Sequence, residues 1–76
     1  MISIESLLPG QQAKLLAFGN TGARYRQRLL AMGITRGAVI EVIRIAPLGC
    51  PVQVKVRGIS LSLRLEEARE LVWERI

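Results

Sequence analysis

Seventy-six residues, half of them hydrophobic, leave room for one small core and no second domain, and a chain of this length buries only roughly 60% of its unfolded surface. His and Asp are absent and all six acidic residues are Glu, while the single Cys can neither form an internal disulfide nor, without His, complete a tetrahedral zinc site. Eleven basic residues, nine of them Arg, leave a formal charge of +5, which suits nucleic acid, an anionic membrane surface or an acidic protein face without choosing among them.

The opening stretch MISIESLLPGQQ lacks the basic start and long apolar segment of a signal peptide. No apolar run approaches the roughly 18 residues that suggest a membrane span, so a cytoplasmic location is expected. Leu8-Pro9-Gly10 then reads as a turn feeding a strand from Ala13 to Phe18. Over residues 22–32, Tyr25, Leu29 and Met32 recur at helical spacing while Arg24, Arg26, Gln27 and Arg28 fill the other faces, which predicts a helix. Thr21 or Gly22 can cap its start and Gly33 its end. A second glycine turn, Thr35-Arg36-Gly37, leads into Ala38 to Ile45, apolar on both faces apart from Glu41 and Arg44, as in a central strand or one that bends between two packed surfaces.

From Pro51 the period becomes two. Val52, Val54 and Val56 oppose Gln53, Lys55 and Arg57, and after Gly58 the alternation resumes with Ile59, Leu61 and Leu63, which predicts an antiparallel hairpin. Residues 65–71 read as a short helix with Glu66 and Glu67 early and Arg69 late, in accord with the helix dipole, and Val72 to Ile76 as a closing strand. Five short strands and two helices cannot bury both faces of a flat sheet in so short a chain. The expected architecture is a mainly β single domain over residues 1–76, a five-stranded SH3-like barrel; an OB-like Greek key is the nearest competitor.

Few residues can carry chemistry. GxGxxG and GxxxxGK motifs are missing and no Ser-His-Asp or Cys-His set can be assembled, so no enzyme is expected. Cys50, between Gly49 and Pro51, reads first as a small side chain in a rigid loop, because a reactive thiol needs a cationic or helix-terminal setting. Glu66, Glu67, Glu70 and Glu74 read as a solvated face with local ion pairs, Glu66 and Glu70 sharing one helical face near Arg69. Arg24, Arg26, Arg28, Lys55 and Arg57 could form a basic surface, although the three aromatics Phe18, Tyr25 and Trp73 sit at core-like positions, leaving nothing for bases to stack on. In APLGCPVQVKVRG, Pro47 and Pro51 frame Leu48, Gly49 and Cys50. Leu48 is either an apolar anchor held outward on a stiff support or a plug folded into the barrel end.

The runs YRQRLLAMGI, VIEVIRIAPLGCPVQVKVRG and ISLSLRLEEA resemble the FeoA family, the small cytosolic ferrous iron transport protein A of bacteria, over most of the chain. Tyr25, Leu29, Leu30, Gly33, Pro47, Leu48, Gly49, Pro51, Leu63 and Arg64 stand where the family pattern places them. Arg36 departs from the proline of a Pro-Gly turn, loosening that turn, and Cys50 stands where an acidic or polar residue is common. The resemblance implies an SH3-like barrel, shared with the C-terminal domain of iron-dependent repressors. It also implies an accessory role beside FeoB, the membrane ferrous iron transporter with a cytosolic G-protein domain; separately, no bound cofactor is expected. The contact residues expected on that reading are Arg26, Arg28, Pro47, Leu48, Gly49, Cys50, Pro51, Lys55 and Arg57, the loop giving the apolar contact and the cations steering. A basic nucleic-acid-binding barrel, a metal-sensing or metal-delivering module and a homo-oligomer stand as alternatives.

Overall fold

The computed structural model describes residues 2–48 and 50–76. Five strands form one antiparallel ladder in the order β4-β3-β2-β1-β5: β1 Gln12–Ala17, β2 Val39–Ile45, β3 Val52–Val56, β4 Ile59–Leu63 and β5 Val72–Arg75. A helix α1, Ala23–Ala31, joins β1 to β2, and a single helical turn α2, Leu65–Ala68, carries the chain from one edge strand to the other. The molecule measures 28 × 24 × 23 Å, too nearly isotropic for a flat sheet only about 10 Å thick. Curling is assisted by two register shifts, one between Leu15 and Ala17 and one between Val42 and Arg44, because an extra residue on one strand bends it and increases its twist. The expected SH3-like barrel is thereby formed. No ladder joins β4 to β5 among the described residues, so α2 and side-chain packing complete the enclosure.

The core is wholly apolar and drawn from every element. Trp73, Leu29, Ile34, Val54 and Ala68 have no exposed surface, and no polar residue is buried among the described ones. Each buried Leu, Ile or Val contributes about 1.5–3 kcal/mol of transfer free energy, which lets so short a chain hold one fold. A 3-10 turn at Ile4–Ser6, for which the sequence offers no periodic signal, buries Ile4 and Leu7 against this core. Ahead of it Ile2 pairs with Trp73 in an isolated antiparallel bridge.

Helix α1 begins at Gly22, which occupies the N-cap position without a side-chain bond, while Thr21 donates its hydroxyl to the Phe18 carbonyl. It ends in a complete Schellman motif. The amide of Gly33, at φ +93°, donates to the Leu30 carbonyl, and that of Ile34 donates to Leu29 at 2.9 Å, with both Leu29 and Ile34 fully buried. The β3–β4 hairpin turns in two residues, Arg57 at φ 52° and Gly58 at φ 81°, the paired left-handed conformation of a type I′ turn. Arg57, expected on the polar face of β3, is thus a turn residue.

Several expectations are corrected. The second helix is a single turn ending at Ala68 rather than running to Leu71, which takes Glu70 off the helical face it was to share with Glu66. Strand β2 is central in the ladder, yet one face is only half covered, with Val39 and Ile43 exposed, the latter at the bulge. Ile59, placed by alternation with Leu61 and Leu63, is 56% exposed because it lies at a strand end beyond the reach of the core, and β5 stops at Arg75, leaving Ile76 67% exposed beyond it. Arg36 does not merely loosen its turn: its Nε donates to the Leu16 carbonyl at 3.3 Å and ties the turn to β1.

Candidate functional site

The β2–β3 connection, residues 46–51, carries the most exposed large apolar side chain among the described residues. Leu48 is 95% exposed, which decides between the two readings of that side chain: it points outward and plugs nothing. The base of the loop is closed by the Ala46 amide donating to the Pro51 carbonyl at 3.2 Å, and Pro47 and Pro51 restrict φ on either side, so the leucine is displayed on a braced support. Gly49 lies outside the described residues.

Two shallow depressions flank the loop's base. One, of about 220 Å³, is lined by Arg44, Ala46, Pro51 and Gln53; the other, of about 210 Å³, by Ile4, Glu5, Ile45, Val52 and Leu65. Proximity in sequence hints at the first. The second needs the 3-10 turn and α2 to arrive from both ends of the chain, and nothing in the local pattern announces it.

Cys50 is exposed, and the Leu65 amide, the first of α2, donates to its sulfur at 3.4 Å. Its setting is therefore helix-terminal, which its sequence neighbours Gly49 and Pro51 conceal. No group of three or more Cys or Glu side chains able to hold a metal comes together among the described residues. The acidic residues are dispersed instead. Arg69 pairs with Glu5 at 3.4 Å rather than with Glu66 or Glu70, and Lys14 pairs with Glu74 at 3.6 Å, both exposed pairs of small energetic weight.

The expected basic residues do not join the loop. Pro51 and Arg57 terminate opposite ends of β3, about 20 Å apart at roughly 3.3 Å per residue. Arg57 instead lies beside α1, its Cδ within contact of the space above Gly33. On α1 itself Arg24, Arg26 and Arg28 are all exposed. The guanidinium of Arg26 stands 6.0 Å from the centre of the Phe18 ring and that of Arg28 6.0 Å from Tyr25, the outer limit of a cation–π contact. Lys55 faces outward from β3 across the ladder from Glu41. Of the candidate contact residues, Pro47, Leu48, Cys50 and Pro51 thus sit at one end of β3, Lys55 within the strand, Arg57 at its other end, and Arg26 and Arg28 on α1.

Tyr25 connects α1 to the α2 side of the molecule. Its hydroxyl is buried without a hydrogen-bond partner in the protein. Burial raises its pKa above the ordinary 10.0, the Glu67 carboxylate adds to the rise, and Arg28 opposes it. Trp73 Nε1 is likewise buried and unpartnered.

These features define a small SH3-like module with an exposed apolar loop. Comparison with known proteins makes the class specific: the FeoA domain family matches residues 2–75, and the chain belongs to that family. A curated relative, the Fe(2+) transport protein A/Fe(2+) transporter FeoB fusion protein of Porphyromonas gingivalis, is 34% identical over 73 residues, 96% of this chain but only 8% of the relative's length. The solution structure of FeoA from Chlorobium tepidum superposes with a TM-score of 0.90 at 31% identity, covering 99% of this chain and 70% of that one. Stenotrophomonas maltophilia FeoA, a procaryotic SH3 domain protein, superposes at 0.79 over 97% of this chain and 91% of that one, and at 22% identity shows the fold alone.

Proposed function

We propose that this chain is a cytoplasmic accessory protein of ferrous iron uptake that docks on the cytosolic part of a FeoB-type transporter through the 46–51 loop. It modulates transport by contact and has no catalysis of its own. The observation that carries the reading is Leu48, almost fully exposed between two prolines: a large apolar side chain on a stiff support loses little entropy on binding and suits the centre of a contact. The flanking depressions give the partner surface to fill. The P. gingivalis relative, in which transport protein A and the transporter share one chain, supports the choice of partner. Pro47, Pro51 and Cys50 frame the contact, while Arg26 and Arg28 on α1, Lys55 within β3 and Arg57 after it, none of them on the loop, act on association only at long range.

Titration of the purified cytosolic region of FeoB with this protein, at low and at moderate salt, tests the reading. Leu48→Asp is expected to weaken binding by about 2 kcal/mol or more, the scale of a central contact residue. An unchanged affinity removes the loop from the mechanism.

A further inference from the structure

A second surface lies apart from the loop. The outward side of α1 consists of Ala23, Gln27, Leu30 and Ala31, with Arg26 on one flank and Arg24 and Arg28 on the other, as the 3.6-residue period requires once Tyr25, Leu29 and Met32 face inward. Leu30 is 44% exposed. The helix carries no acidic residue, and Glu67 of α2 acts on Tyr25 on the inward side. Past the helix end the Arg57 side chain lies next to Gly33, and Ile59, two residues further along the chain, is exposed. None of Arg24, Arg26, Arg28 or Arg57 is in an ion pair among the described residues.

We propose that this outer face of α1, together with the adjoining β3–β4 turn, binds an anionic phospholipid surface directly. Charge complementarity selects the sign of the partner. The arrangement selects its shape, since guanidinium groups on both flanks of a narrow strip of small and apolar side chains match a plane of phosphates with acyl chains beneath. Arginine serves that role better than lysine because its planar fork grips phosphate oxygens in pairs. The helix lies in the interface, Leu30 and Ile59 reach below the phosphates, and nothing spans. No helix of the described residues is long and apolar enough to cross a membrane. The face is distinct from the Leu48 loop, so a protein seated on lipid keeps that loop free.

The test uses the intact protein and vesicles without transporter, so its outcome is separate from that of the docking experiment. Sedimentation with vesicles of mixed phosphatidylglycerol and phosphatidylcholine, against pure phosphatidylcholine, should show partitioning only in the first case and loss of it as salt rises. Arg24→Glu with Arg28→Glu should lower the partition coefficient at least tenfold, each basic residue near the surface being worth about a factor of five. Arg44→Glu with Arg64→Glu, the same change in net charge away from α1, should retain most of it, and Leu30→Ser should give an intermediate loss. Circular dichroism checks that each variant is folded. Absence of binding to the mixed vesicles, equal binding to phosphatidylcholine or equal weakening by the two double variants overturns the proposal. Capture of the FeoB cytosolic region by this face without vesicle binding overturns it in favour of an acidic protein surface.

Discussion

At its start β3 leaves a loop of six residues, 46–51, held at its base by one backbone hydrogen bond and carrying an exposed leucine; at its end the chain reverses in two residues, both at positive φ. The first connection is longer than a hairpin needs, and its surplus chain displays Leu48. The second is as short as a hairpin allows, and the stem of its Arg57 side chain passes beside Gly33, just past the end of α1. Mutation should therefore act differently at the two ends: binding should respond at the loop and stability at the turn, while the shared core should move both.

The largest effect belongs to that shared core. Trp73→Ala removes a fully buried indole carried on β5 and should cost about 3–5 kcal/mol in denaturant unfolding, enough to abolish activity at either end. A smaller loss confined to one end would break the comparison. Next comes the turn. Gly58→Ala meets no neighbouring atom but forces a side chain into the left-handed region, and should lower stability by about 1–2 kcal/mol while leaving partner affinity per folded molecule unchanged.

Tyr25→Phe should act in the opposite direction, raising stability by about 1 kcal/mol, since it deletes a buried hydroxyl that has no partner in the protein. Its pH dependence sharpens the point. With the folded pKa raised above 10.0, the unfolded phenol ionises first, so the wild type is unaffected below that pH and loses stability as pH climbs toward the folded value; alkaline melting curves of the Phe variant should fall less steeply. The smallest effect is that of Leu48→Asp on unfolding, within about 0.5 kcal/mol, although docking per folded molecule should fall strongly.

Much of this frame can be read directly from the residues. The alternation of Val52, Val54 and Val56 with polar residues locates β3 and its inward face, and Tyr25, Leu29 and Met32 with Gly33 locate α1 and its end, because those patterns are local and periodic. The 3-10 turn is not legible: three residues have no period, and Ile4 and Leu7 are held by a core built from the far end of the chain. Nor does the dipeptide Arg57-Gly58 announce a type I′ turn, whose usual first residue is Asn, Asp or Gly. The candidate contact residues were recognisable individually but not as two groups. Their separation follows from Arg57 belonging to the turn and from the distance along β3, and the helix-terminal place of Cys50 follows from α2 returning beside the loop, a contact between residues 50 and 65 that no local pattern encodes.

The bridge between Ile2 and Trp73, with the Ile76 amide bonded to the Gln12 carbonyl, brings the two extremities of the chain to the same margin of the sheet. A larger polypeptide joined to either extremity would hold this module from that one margin, like a hinged plate. The leucine tip and the arginine-flanked helix would both stay free to swing toward whatever lies next to it.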